Sequence, residues 1–146
     1  MKANNRVHFS SAKQDWRTPK AFYQALDSEF RFDFDPCPTN PEFDGLEIEW
    51  GAVNFCNPPY SEIDKWVRKG YAEHRKGKTV VFLIPSRTDT RWWHDICMKA
   101  SEIRFIKGRL KFDEYKYSAP FPSCVVVFAV KEETEGEEKE KGADDK

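Results

Sequence analysis

Thr79-Val80-Val81-Phe82-Leu83-Ile84, closed by Pro85, is an unbroken run of β-branched, aliphatic and aromatic residues. A strand exposed on one side alternates apolar with polar residues, so a run without alternation predicts a strand covered on both faces. Upstream, Ile63, Trp66, Val67, Gly70 and Tyr71 recur at helical spacing opposite Lys65, Arg68, Lys69 and Glu73. They predict an amphipathic helix with those charges on its solvated side. Before it, Ala52 to Cys56 (AVNFC) reads as a strand stopped by Asn57-Pro58-Pro59-Tyr60, and residues 36–50 read as a loop. Earlier still, Arg31 to Asp35 (RFDFD) alternates with period two and ends at Pro36, predicting a short first strand. Pro19 to Phe30 sets Phe22, Ala25, Leu26 and Phe30 on one helical face, with Thr18 as cap and Pro19 in the first turn.

Downstream, a helix over about 90–100 with Asp89 as cap is expected, then a strand from Ile103 to Phe112 interrupted at Gly108, then a last apolar strand from Cys124 to Val130. Strands alternating with helices predict an α/β domain with a mostly parallel sheet and helices on both faces. In such sheets ligands gather beyond the carboxyl ends of the strands. Asp35, Asn57 and Ser86-Arg87 each fall just past a strand end, so they are expected to converge on one rim.

The 146 residues carry 24 Lys+Arg against 25 Asp+Glu, a net charge of -1 that gives no basic footprint for a nucleic-acid partner. The distribution reverses that impression. Residues 131–146 (KEETEGEEKEKGADDK) hold eight acids and four lysines with no aromatic or branched aliphatic residue, and read as a disordered acidic tail. Positions 1–130 then keep 20 basic and 17 acidic residues, a net of +3. Residues 1–14 read as a flexible leader and 15–130 as one domain. No run approaches the ~20 apolar residues of a membrane span, so a soluble, cytoplasmic protein is expected. Cys37, Cys56, Cys97 and Cys124 form no paired metal-ligand spacing and read as reduced thiols, with Cys56 and Cys124 as core residues of strands.

The turn Asn57-Pro58-Pro59-Tyr60 carries the chemistry. Two prolines remove two backbone donors and fix two φ angles, holding an amide, carbonyls and an aromatic ring in fixed relation. The Asn57 side-chain oxygen and the Pro58 carbonyl could each accept one N–H of an aromatic amine while Tyr60 stacks on its ring. Accepting both N–H bonds draws the nitrogen lone pair out of conjugation, which turns a poor nucleophile into one able to attack a methyl donor.

This turn resembles the [DNS]-P-P-[YFW] motif of amino-methyltransferases. More narrowly, the chain resembles the phage and prophage DNA N-6-adenine-methyltransferase (Dam-type) family from about Asp15 to Phe128. The resemblance rests on six ordered blocks: Asp15-Trp16-Arg17-Thr18-Pro19, Asp33-Phe34-Asp35-Pro36, Asp44-Gly45-Leu46, Asn57 to Ser61, Ile84 to Trp92, and Gly108-Arg109-Leu110-Lys111-Phe112. It implies an abbreviated Rossmann-like methyltransferase fold with a C-terminal antiparallel strand. It also implies S-adenosylmethionine as cofactor, double-stranded DNA as partner, and methylation of adenine N6 as a phage-type DNA modification. By the same resemblance Asn57, Pro58, Pro59 and Tyr60 would be catalytic, and Trp16, Thr18, Pro19, Asp35, Pro36 and Asn57 would bind the cofactor. Thr18-Pro19 would face its methionine part, and Asp35 the methionine amino group. No metal is implied.

By the same resemblance Phe121 would be the second aromatic against an extruded base, with Tyr115 and Tyr117 as competitors. Arg87, Arg91, Arg104, Lys107, Arg109 and Lys111 are expected phosphate contacts, because a duplex must be held while one base leaves the stack. The Trp92-Trp93 pair is expected to contribute at least one core residue. The chain departs from full-size methyltransferases in lacking a glycine-rich loop after the first strand and an evident acidic ribose ligand. The interval from Asp35 to Asn57 is too short for two further βα units. Asp44, Glu47 and Glu49 stay open as adenosine ligands. The alternatives are a non-catalytic DNA- or cofactor-binding module, cytosine N4 as target, and a metal nuclease on Asp33 and Asp35.

Overall fold

The computed structural model describes residues 17–111 and 118–130. The leader, the acidic tail, Asp15, Trp16, Phe112, Tyr115 and Tyr117 lie outside the described residues. In chain order the elements are α1 (Lys20–Phe30), β1 (Val53–Cys56), a 3-10 turn (Tyr60–Glu62), α2 (Ile63–Arg75), β2 (Thr79–Pro85), α3 (Arg91–Asp95), a second 3-10 turn (Cys97–Lys99), β3 (Glu102–Phe105) and β4 (Ser123–Phe128).

The four strands form one sheet in the order β1-β2-β4-β3. β1 and β2 are parallel, in register Val53↔Thr79, and β4 runs antiparallel to both β2 and β3. The sheet is therefore mixed rather than mostly parallel. The last strand enters between β2 and β3 against their common direction, so two of the three pairings are antiparallel although only β4 is reversed.

The strand expected over 31–35 shrinks to a single parallel bridge, Phe34↔Asn54. Arg31 leaves α1 in the left-handed region (φ 59°), and Asp33 then uses its carboxylate, not a backbone carbonyl, to accept from Val53 N at 3.2 Å. Both Asp33 N and Phe34 N converge on Val53 O, which interrupts the regular ladder. Three other boundaries move. Thr18 does not cap α1: Pro19 stands at the N-cap with no side-chain bond. Thr90, not Asp89, caps α3 by accepting from Trp93 N at 3.2 Å, and α3 stops at Asp95 because Ile96 (φ -117°) leaves the helical repeat. β3 ends at Phe105, short of the expected 112, since Gly108 turns at φ 77°.

Alternation along β2 divides the core. Val80, Phe82 and Ile84 face Trp66, Val67 and Cys124 under α2. Val81 and Leu83 face Leu26, Phe55 and Val125 under α1. Helices therefore cover both faces, as the unbroken apolar run predicted. On α1 the side turned to the sheet includes Tyr23, whereas Ala25 is exposed. Cys56 and Cys124 are fully buried strand residues.

Two core members come from unexpected places. Trp50, at the end of the 36–50 loop, is buried against Trp66 and Phe82. Glu73, expected on the solvated face of α2, is fully buried. Its carboxylate accepts from Trp50 N at 3.0 Å and pairs with Lys69, Lys76 and Lys78.

Candidate active site

Three chain segments meet at the carboxyl end of β1. Phe34 bridges to Asn54 in parallel, so Asp35 emerges on the side where Asn57 leaves β1. Asp35 Oδ1 accepts from Cys37 N at 2.9 Å, an Asx turn that redirects the chain at Pro36. The third segment is the approach to α1. Asn57 Nδ2 donates to Thr18 Oγ1 at 3.0 Å across 39 positions of sequence, tying the proline turn to the start of the first helix.

Around this bond lies a cavity of about 290 Å³ lined by Thr18, Asp35 and Asn57 together with Arg17, Lys20 and Tyr23. Cys37, Pro38, Thr39 and Phe55 complete its wall. Arg17 and Lys20 supply positive charge and Asp35 negative charge within one hollow, which suits a zwitterionic ligand. Burial, then the charges of Asp27 and Asp35, push the Tyr23 phenol up, so it stays a hydrogen-bond donor at neutral pH.

A second cavity, of about 420 Å³, adjoins it across the Pro36–Pro38 segment, and both include Cys37 in their walls. Pro36 is buried and lines this second space rather than the first; Pro19 lines neither. Gly45 closes one side. A Cβ there would overlap the Pro36 carbonyl oxygen and come within 2.8 Å of the Trp66 ring, and Gly45 O accepts from Trp50 Nε1 at 2.7 Å. Gly45→Ala is expected to cost about 1–3 kcal/mol through overpacking at backbone, visible as a lowered melting temperature by calorimetry.

In the proline turn itself, Asn57 is 8% exposed and Pro58 is buried, so a group reaching them must be inserted rather than laid against the surface. Pro59 O accepts from Glu62 N at 3.1 Å, closing the 3-10 turn that presents Tyr60. Phe121 stands edge-to-face with Tyr60, ring centroids 5.1 Å apart. It arrives there because Pro85 pairs with Ser123 and Ser86 N donates to Pro122 O at 2.9 Å, bringing the start of β4 to the rim where β2 ends.

Of the expected phosphate contacts, Arg87 is exposed and lines a hollow of about 160 Å³ with Tyr60, Ser61, Thr90 and Trp92. Arg91, Lys107, Arg109 and Lys111 are exposed, Arg109 reaching Ala119 O at 3.5 Å. Arg104 differs from them. Its guanidinium is tied to Glu29 and Glu102, and those hydrogen bonds raise its pKa. Trp93 is core, and Trp92 is half-buried beside it.

Sequence reasoning missed Arg17, Lys20, Tyr23 and Thr39. The signal was present for the first two, as a basic residue on either side of Thr18-Pro19. Glu49 pairs with Lys78 at 3.3 Å, and Asp44 lines the second cavity.

No solved structure matches the chain significantly. A curated relative, the DNA N-6-adenine-methyltransferase of Escherichia phage T1, is 25% identical over 111 residues, covering 67% of this chain and 47% of its own length. The chain thus spans about half the length of that relative. The family model described as DNA N-6-adenine-methyltransferase (Dam) matches residues 7–143. With nearly its whole length under that model, the chain belongs to the DNA N-6-adenine-methyltransferase (Dam) family.

Proposed function

We propose that residues 15–130 form a methyltransferase domain that transfers a methyl group from S-adenosylmethionine to adenine N6 in double-stranded DNA, a substrate it would meet in the cytoplasm of the host cell. The observation that carries this reading is the single cavity shared by Thr18, Asp35 and Asn57, with the Tyr60–Phe121 pair beside it. Direction within the sheet supports an abbreviated methyltransferase fold: β1, β2 and β3 run one way, and the C-terminal strand is reversed and inserted between two of them.

The residues present fit the cofactor. Asp35 would pair with the methionine ammonium and Lys20 or Arg17 with its carboxylate, both within one cavity wall. When bound, the cofactor supplies an electrophilic methyl group. Thr18 fixes the rotamer of the Asn57 amide by taking its NH2 group, so the amide oxygen is the atom with which Asn57 accepts one N–H of the target amine. The Pro58 carbonyl accepts the other, and Tyr60 stacks on the base. Tyr60 and Phe121 would separate to admit it. The low exposure of Asn57 keeps water away from the amine.

Mass spectrometry of nucleosides from host DNA after expression tests the reading. N6-methyladenine is the expected product. N4-methylcytosine would change the target, and an unmodified spectrum together with no transfer in vitro would overturn the activity. A cheaper check of the cofactor site uses Cys37, which is half-buried in the cavity walls while Cys56, Cys97 and Cys124 are fully buried. Iodoacetamide should label Cys37 first in the folded chain, and saturating S-adenosylhomocysteine should slow that labelling at least several-fold in a peptide-mass time course.

A further inference from the structure

We propose, resting on the reading that this chain methylates adenine in DNA, that the hollow walled by Tyr60, Arg87 and Trp92 receives the nucleobase next to the target, with Arg87 reading its edge and Trp92 covering its face. Position comes first. Tyr60 meets Phe121 edge-to-face and also lines this hollow of about 160 Å³. The hollow is therefore one ring removed from the slot where the target base would stack. Consecutive nucleotides are joined by a single phosphodiester, so a base held at Tyr60 brings its neighbour to this wall.

Charge decides between a base and a phosphate. The Arg87 guanidinium is exposed, with no ion pair or hydrogen bond among the described residues. Asp64 lines the same hollow. Its Oδ1 accepts from Arg68 Nε at 2.6 Å, and its Oδ2 takes no hydrogen bond among the described residues. A carboxylate in the wall repels a phosphate. A nucleobase is uncharged and carries ring acceptors and N–H donors, so it can answer a guanidinium and a carboxylate together. Trp92 supplies the flat face that such a ligand also needs. It is half-buried against the core beside Trp93, ring centroids 6.1 Å apart. Extruding the target strips a stacking partner from its neighbour, and an aromatic face can replace that partner at about 1–3 kcal/mol per base.

The loop before α3 holds Arg87 in place. Arg87 N donates to Pro85 O at 2.9 Å, and Thr88 N donates to Ser86 O at 3.1 Å. Arg87 O accepts from Thr90 N at 3.2 Å and from Thr90 Oγ1 at 2.8 Å, and that hydroxyl in turn accepts from Trp93 N at 3.2 Å. His94 Nε2 donates to Thr88 O at 2.7 Å. The backbone of Arg87 is thus tied to α3, which carries Trp92, so the spacing of the two residues is set before DNA arrives. A preorganised arginine can discriminate between base edges, whereas a phosphate contact carries no sequence information.

A pool of duplexes with randomised bases flanking one adenine, incubated with the full chain and S-adenosylmethionine, tests the assignment. Methylated members are captured with an antibody to N6-methyladenine and sequenced. The unaltered chain is expected to prefer one base at one adjoining position, and Arg87→Ala should shrink that preference about tenfold or more. Arg91→Ala, at an expected phosphate contact, should instead lower transfer to every member by a common factor. Trp92→Leu keeps apolar volume without the flat face and should raise KM for DNA several-fold. Arg87 is exposed, so its variant keeps the test valid should Trp92→Leu fail to fold. An unchanged preference in Arg87→Ala, with or without an equal loss on every member, would overturn the proposal. So would an unaltered chain with no preference at either adjoining position, and both results would leave the methyltransferase reading standing. No methylation of any member by the unaltered chain would overturn both.

Discussion

Asn57→Ala is expected to lower methyl transfer to DNA by about 10²–10³-fold, the usual consequence of deleting one preorganised polar partner of a reacting group. The amide has two tasks that alanine cannot perform. In the proposed reaction its oxygen accepts from the target amine, and its nitrogen donates to Thr18 Oγ1 at 3.0 Å, joining the proline turn to the approach to α1. Asn57→Asp separates them. A carboxylate still accepts from the amine, and the Thr18 hydroxyl can reverse its role and donate, so this variant should keep a larger share of activity than alanine. Tritiated methyl incorporation into duplex DNA at saturating cofactor reads the difference. Equal incorporation by Asn57→Ala and the unaltered chain would remove Asn57 from the chemistry.

The same argument ranks its neighbours. Pro58 and Pro59 shape the turn through missing donors and fixed φ, so their replacement should act through the position of Asn57 and Tyr60 rather than by removing a contact. Tyr60 and Phe121 already touch edge-to-face. A base entering between them exchanges one aromatic contact for two stacking faces, which offsets part of the few kcal/mol needed to unstack it from the duplex.

The parts of this fold that were legible in sequence are those whose side chains are uniform. Val80 to Ile84 and Cys124 to Phe128 read correctly because a strand buried on both faces has no polar residue to confuse the pattern. Arg31 to Asp35 misled because alternation describes where side chains point, not whether the backbone ladder forms; Asp33 answered Val53 N with a carboxylate instead. Thr18 had the chemistry of a helix cap, yet its hydroxyl went to Asn57, a partner 39 positions away that no local rule could supply. At the cavity, Thr18, Asp35 and Asn57 were legible because each follows or precedes an element end. Tyr23 was not, since it lies inside α1 and reaches the cavity only through the way that helix crosses Phe55.

Glu73 is the clearest misreading, and it yields the largest expected effect on stability. It falls three positions after Gly70 and seven after Trp66, so helical spacing puts it on the buried stripe; its charge alone suggested solvent. Burial by itself would raise its carboxyl, but donors from Lys78, Trp50 N, Lys69 and Lys76 outweigh that and hold its pKa down at about 2. Glu73→Ala should destabilise the fold by about 3–5 kcal/mol, because Lys78 and Lys69, mostly buried, lose their counter-charge and Trp50 N loses its acceptor. Glu73→Gln keeps an acceptor for Trp50 N and should cost less. The pH dependence has a defined sign. A carboxyl whose folded pKa lies below its unfolded value stabilises the fold above the unfolded value, and that contribution fades as pH falls from about 4.5 towards 2. Urea melts at pH 7 and pH 3 should therefore show a smaller gap between Glu73→Gln and the unaltered chain at the lower pH. The loss would extend to the second cavity, since Glu73 holds Trp50, Trp50 Nε1 holds Gly45, and Gly45 lies against Pro36 and Trp66. A gap independent of pH would mean that packing, not the ion cluster, makes Glu73 necessary.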